Sequence, residues 1–393
     1  MLWSVLMMFI TGAGSRNQFD CICDEDSDTF AENFARLSGC REGGLPTSKA
    51  SADYLEQVDV GPLAELPVAL VRRLIRSKVL DSARLLGTYF PIAIDLTGWL
   101  RFSKYHCEHC LVQNHEGTLR YYHPVAEAKL LTPSGMALSV ATEFVENDNP
   151  RVSKQDCELA AFPRLLTKLR RTFPRLPICL LLDGIYPSEP MMALCRKYDM
   201  HWIASFKEGH LPTAFREFSL LKSDVPENVQ ERREDQRYQR LSWLGDLQQG
   251  KETFDAFDCL TYNEKQEQQY FAFCTSIHVN SRNCAELTNR GGRLRWKIEN
   301  EGFNVQKNGD LQLEHVYSYD LNAAKAYYIL LQTAHILLQL MWQGSLLKAT
   351  RKRLHSMLNF VQRIREDLRN RPLPSTEELD AAARTCQIRM DTT

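Results

Sequence analysis

Long apolar runs are missing from this sequence of 393 residues. The most hydrophobic stretch, Tyr327 to Trp342, contains Gln332, His335 and Gln339. It falls short of the ~20 apolar residues that cross a bilayer, so it is expected as a core helix and no membrane partner is expected. The opening MLWSVLMMFI lacks a basic region ahead of its apolar core, which argues against a secretory leader and for a buried segment. A charge excess is missing too: the formal net charge is -1, so bulk charge does not announce a nucleic-acid binder. There is no internal repeat and no low-complexity tract, which excludes solenoid architectures. The 12 cysteines are scattered, several of them inside apolar runs such as ICLLLDG and YFAFCTS. That usage fits a reducing cytosol better than a disulfide framework.

What is present is a globular composition, 44% hydrophobic and 25% charged, with uneven charge. Met1 to Val60 holds 4 Lys+Arg against 10 Asp+Glu, whereas Lys348 to Pro372 holds 8 against 2. A neutral total can thus hide a basic face, which is what a phosphate backbone senses. Residues 1–60, acidic and broken by Gly and Pro, are expected to be loosely structured. Residues 61–89 carry apolar positions three and four apart and read as a helical linker or DNA-contact region. FPIAIDLTGWL then reads as a strand, and LRYYHPVAEAKLL and MALSVATEFVE as a hairpin. Ser153 to Asp156 has the form of a capping box opening the helix DCELAAFPRLLTKLRRTF. The strand LPICLLLDG, a helix over MMALCRKY and the strand HWIASFK follow. Residues 210–285 are β-rich, helical pattern resumes at about Asn289, and residues 346–393 read as a basic C-terminal helix with a frayed tail.

Two aspartates end apolar strands, Asp95 in PIAID and Asp183 in CLLLD. A carboxylate there is costly to desolvate without a cationic partner, and the carboxyl ends of strands are where open α/β sheets bind ligands. Each alone reads as readily as a turn-forming Asp. Glu299, in RWKIENEGFNVQKNG, stands four residues after Arg295, with Trp296 and Phe303 seven apart on an apolar stripe that would anchor the helix. If that helix crosses the sheet, Glu299 joins the two aspartates. Three converging carboxylates repel unless cations intervene, and a pair of hard divalent ions would relieve them. The plainer reading is a surface Arg–Glu pair worth roughly 0.3–0.5 kcal/mol.

Several separate motifs carry a resemblance: IDLTGW at Asp95, HCEHCL at His106, KQDCE at Lys154, LLLDGIYPSEP at Asp183, IASFKEG at Ile203, and RWKIENEGFNVQKNGDLQLEHVYS from Arg295. Between about Gly61 and Gln343 the chain resembles a DDE-type bacterial insertion-sequence transposase, from the branch with a β-rich insertion between the second Asp and the Glu. The resemblance implies an α/β fold: an RNase H-like mixed sheet flanked by helices, with the core at residues 90–209 and 286–345 and the insertion at 210–285 before the last catalytic helix. It implies cleavage of DNA at the element's terminal inverted repeats, freeing a 3′-OH that attacks target DNA. It also implies a homodimer on DNA and a cytoplasmic, nucleoid-associated protein.

By the same resemblance Asp95, Asp183 and Glu299 would be catalytic and would hold Mg²⁺ or Mn²⁺. Two ions are expected, with Asp95 bridging both. Arg295, Lys297, Lys307 and, at the end of the last core strand, Lys207 would contact DNA. Where the wider family has Tyr and Lys around the glutamate, this chain has Gly292 and Gln306, with Lys307 one place later. Leu96 stands where a small residue is expected, and the part before Gly61 is short for an end-recognition domain. An inactive, transposase-derived DNA-binding protein and a nuclease of the same fold are the competing readings.

HCEHCLVQNHEGTLRYYH places Cys107 and Cys110 in a C-x-x-C with His106, His109, His115 and His123 nearby. Cys107, Cys110 and His123 are the candidate structural zinc ligands. Without a second paired half the motif is a weak zinc signal, and strand-and-loop packing accounts for it as well.

Overall fold

The computed structural model describes residues 1–24, 28–39, 45–104, 107–148, 154–234, 237–262 and 267–390. Its strands are β1 (Phe90–Phe102), β2 (Leu111–His115), β3 (Thr118–Leu131), β4 (Ala137–Phe144), β5 (Ile178–Leu182) and β6 (Met200–Ser205), followed by β7 (Val229–Glu234), β8 (Arg237–Gln249), β9 (Glu252–Tyr262) and β10 (Gln268–Thr275). All belong to one 10-stranded sheet, ordered β2-β3-β1-β5-β6-β10-β9-β8-β7, with β4 also paired to β3. β1, β5 and β6 are parallel neighbours, and the other pairings are antiparallel. The β-rich stretch is therefore no separate body: β10 pairs with β6 and extends the same sheet.

The central strands are continuous apolar runs because both faces are covered. Ile92, Ile94, Leu180, Leu182 and Trp202 point to one core, while Ala93, Cys179, Leu181 and Ile203 point to the other. The N-terminal helices are α1 (Leu2–Ile10), α2 (Arg16–Asp24), α3 (Asp28–Ser38), α4 (Ser48–Leu55), α5 (Val60–Leu63) and α6 (Glu65–Arg76). Three more helices, α7 (Glu158–Thr172), α8 (Glu189–Lys197) and α9 (Pro212–Leu221), lie among the strands. The first face of the sheet is covered by α6 through α9, with α7 burying Ala161, Phe162, Leu165, Leu166 and Leu169 at helical spacing. α6 buries Val68, Val71 and Leu74 in this core, so residues 61–89 are part of the packed domain and not a linker.

The second face is covered by a helical stretch that starts with α10 (Cys284–Glu286), continues through π-helical Leu287–Gly291, 3-10 Gly292–Trp296 and π-helical Ile298–Asn304, and ends with α11 (Val305–Asn308). The long helix α12 (Leu321–Gln343) buries Gln332, His335 and Gln339 along with its apolar residues, and no helix among the described residues is long and apolar enough to cross a membrane. A buried polar network ties α12 to the sheet and to the helical stretch. Lys129 of β3 donates to Gln332 at 2.6 Å, and Gln306 donates to the same Gln332 oxygen at 2.8 Å.

Three expectations are corrected. The described residues of 1–60 are not loose: Phe9, Phe19, Phe30 and Phe34 share one buried cluster with Tyr327 and Leu331 of α12. Asp28 and Glu32 of α3 and Asp53 of α4 are exposed, so acidic residues there coexist with a packed inner face. The cap of α7 is Cys157, without a side-chain hydrogen bond, so the helix begins later than a Ser153 cap requires. Ser153 lies outside the described residues. The basic C-terminal helix is broken into α13 (Lys348–Leu354) and α14 (Met357–Asn370) at His355, whose φ of 62° takes the chain out of helical geometry. Beyond it the supposed frayed tail contains α15 (Thr376–Thr385), opened by a Ser375–Glu378 capping box.

Candidate active site

β1 and β5 run parallel with Ala93 opposite Leu181. Two residues further along, that register brings Asp95 level with Asp183 just past the carboxyl end of β5; β1 itself runs on to Phe102, so Asp95 stands mid-strand and does not end its strand as the sequence suggested. The helical stretch crosses this end of the sheet and delivers Arg295 and Glu299. Arg295 is buried, and its guanidinium touches all three acids: Nη1 lies 3.8 Å from Asp95 Oδ2, and Nη2 lies 3.8 Å from Asp183 Oδ1 and 3.2 Å from Glu299 Oε1. The structure thus brings Asp95, Asp183 and Glu299 together around one cation.

A fourth acid was not foreseen. Glu158, the first residue of α7, accepts a 2.6 Å hydrogen bond from the Tyr186 hydroxyl and interacts electrostatically with Asp95, Asp183 and Arg295. Its only signal in the sequence is its place at the end of KQDCE, and nothing in that spacing says the helix start faces two strand ends.

Burial dominates the electrostatics. Desolvation raises the pKa of Asp95 to about 7, overriding the lowering by Arg295 and by the Leu96 N–H, while Glu158 and Glu299 push it up further. Glu158 is raised by burial too, partly countered by the Tyr186 hydrogen bond. Burial likewise holds the Tyr186 hydroxyl well above its usual pKa, so it remains a donor.

The close approach of the helical stretch to the sheet requires the glycine at position 292. A Cβ on Gly292 would lie 2.4 Å from Cε1 of Phe273, so only glycine lets the backbone sit there. Gln306 turns inward, bonding Gln332 and His335 instead of reaching the cleft. Trp296 is not an apolar anchor: it is 52% exposed, while Phe303 is buried. The seven-residue spacing fails because 3-10 and π turns replace regular helix between them.

Of the expected DNA contacts, Arg295 and Lys207 are at the carboxylates, with Lys207 Nζ 3.8 Å from Asp183. Lys297 pairs with Glu301 and Lys307 with Glu314, each at 3.0 Å. Beside the carboxylates opens a cleft of about 660 Å³ whose lining includes Asp183, Lys207, Phe271, Arg295, Trp296 and Glu299.

The donors toward a metal are all carboxylate oxygens, which suits a hard divalent ion. With all four acids ionised, Arg295 and the exposed Lys207 offset only two of the negative charges. The oxygens are not gathered as tightly as a preformed ion cage, however. Among the described residues, the trio of His, Cys, Asp or Glu donors lying within 4.8 Å of one another is Cys107, Cys110 and His123. The Arg295 guanidinium stands between the acids. Neither the protein-family models nor the curated proteins compared with this chain match it.

Proposed function

We propose that the chain is a DDE-type transposase with an RNase H-like core, cleaving DNA at the ends of a mobile element and joining the freed 3′-OH to target DNA. The observation that carries this reading is the convergence of Asp95, Asp183 and Glu299 on Arg295 where the parallel pairing of β1 and β5 ends. Acids from three distant parts of the chain are gathered at a cost in desolvation, beside an open cleft of about 660 Å³.

Asp95, Asp183 and Glu299 would hold Mg²⁺ or Mn²⁺, with Glu158 close by as a further acidic group. Bound there, divalent ions polarise the phosphodiester and stabilise the charge that develops on attacking and leaving oxygens. Arg295 supplies fixed positive charge inside the acidic cluster and keeps the carboxylates from splaying into solvent. Lys207, on the rim and 61% exposed, is free to reach a backbone phosphate. Trp296 offers a flat exposed face on which an unstacked base can rest. Acting on two element ends calls for a homodimer when DNA is engaged.

The test incubates the full chain with Mg²⁺ and DNA carrying the element's terminal repeats. Joined products support the transposase reading. Cleavage without joining makes the protein a nuclease, and a shifted band without cleavage makes it an inactive DNA-binding relative. Glu299→Gln should abolish chemistry while leaving DNA binding nearly intact, and equal loss of both would count against the role assigned to Glu299.

A further inference from the structure

Five residues beyond Asp95, β1 reaches Leu100, which pairs with His123 of β3. This puts a second cluster roughly 16 Å along the sheet from the acids. Cys107 and Cys110 close a tight turn, the Cys110 N–H donating to the Cys107 carbonyl at 3.3 Å. Both thiols meet the imidazole edge of His123. Sγ of Cys107 and Sγ of Cys110 are 3.6 Å apart, and each lies 3.3 Å from His123 Nε2.

These separations match those of metal ligands. A tetrahedral ion with Zn–S near 2.3 Å and Zn–N near 2.05 Å holds its sulfurs about 3.8 Å apart and each sulfur about 3.5 Å from the nitrogen. The triangle seen here is smaller by only about 0.2 Å a side. It is far too long for a disulfide, whose sulfurs are bonded at about 2.05 Å. Two soft sulfurs and one imidazole select zinc over the hard ions suited to the carboxylate cluster.

The surroundings are those of a built site. His123 and Cys110 are buried, and the imidazole packs against Trp99 and Phe102. Glu146 Oε1 lies 3.7 Å from His123 Nδ1, the nitrogen turned away from the thiols, and Lys325 holds Glu146 at 2.6 Å. A carboxylate in that position favours the tautomer whose Nε2 is free to coordinate. Asn147 secures the turn, accepting at its carbonyl from His109 Nδ1 and donating its side-chain amide to the Cys110 carbonyl, both at 2.9 Å. His109 is thereby committed elsewhere. His106 lies outside the described residues, as does the side chain of His115.

We infer that Cys107, Cys110 and His123 bind a structural Zn²⁺ ion, its fourth position taken by water. The ion pins the β1–β2 connection to β3. Asn147 Oδ1 also accepts from the Asp156 N–H, which ties the turn to the segment that leads into α7. Because the three donors meet only in the folded chain, zinc binding stabilises the fold. The inference is independent of the phosphoryl-transfer reading.

The test expresses the full chain in zinc-supplemented medium under reducing conditions and measures metal by mass spectrometry. About one zinc per chain is expected, falling at least tenfold in Cys107→Ser/Cys110→Ser and unchanged in Glu299→Gln. Should the double variant fail to fold, the wild-type protein reconstituted with Co²⁺ decides. Thiolate-to-cobalt charge-transfer absorption that Zn²⁺, but not Mg²⁺, removes supports the site. Absence of that absorption, zinc content no higher than in the double variant, or a Cys107–Cys110 disulfide in the reduced preparation overturns it.

Discussion

Tyr186 donates its hydroxyl hydrogen to Glu158 at 2.6 Å, and the bond fixes where the fourth acid of the cluster points. The hydrogen bond also lowers the Glu158 pKa against the raising effect of burial. Tyr186→Phe removes that support, so the Glu158 pKa rises further. If Glu158 must be ionised for the reaction, the acid limb of the pH–rate profile moves to higher pH in the variant. DNA cleavage measured from about pH 6 to 9 checks this. An unchanged acid limb would remove Glu158 from the working cluster.

Asp95 makes stability depend on pH in the sense opposite to a salt-bridged carboxylate. Its pKa is about 7 in the folded chain against an ordinary value of 3.8, so between those values the folded state keeps a proton that the unfolded state has released. Stability therefore falls as pH rises through this window, and the full cost is present above about pH 7. Asp95→Asn abolishes the cost and the catalysis together. Its thermal midpoint should exceed that of the wild type at about pH 8, with the advantage shrinking toward about pH 4. An advantage that does not vary with pH would contradict the elevated pKa.

Arg295 is the sole buried cation in contact with Asp95, Asp183 and Glu299 among the described residues. Arg295→Ala should destabilise the metal-free protein by about 3 kcal/mol, because it leaves acids facing one another without a counter-charge. Mg²⁺ should then raise the melting temperature more in the variant than in the wild type. Melts with and without Mg²⁺ measure the difference, and an equal shift in both would mean that guanidinium and metal do not share the site.

Gly292 sits against Phe273 with no room for a methyl group. Gly292→Ala should cost about 1–3 kcal/mol by overpacking and reduce cleavage, since the displaced turn carries Arg295. Adding Phe273→Leu should restore much of both losses. Chemical denaturation and a cleavage assay on the single and double variants check it.

The strands that carry the acids were legible because buried parallel strands are written as apolar runs. PIAID, CLLLD and the β3–β4 hairpin needed no tertiary information to be found. The helix carrying Glu299 was legible as a helix but not as one of irregular pitch. Its Arg295–Glu299 contact follows from four-residue spacing, whereas Trp296 is turned outward by 3-10 and π turns that no periodicity announces. The N-terminal helices were hidden by the acidic composition of the segment, and the cluster that buries their Phe side chains is completed by α12, some three hundred residues later.

By itself, the sequence determined which residues are apolar enough to form the sheet, and which polar residues interrupt them. Tertiary structure alone decided that Asp95 and Asp183 share a level, that Glu158 joins them, and that one guanidinium faces the group. It likewise brought His123 to the two thiols of a turn more than ten residues before it. The physical reason is the same in each case. Local pattern reflects burial and backbone preference, which neighbouring residues dictate. The meeting of distant charges and donors depends on strand register and helix crossing, which only the packed whole sets.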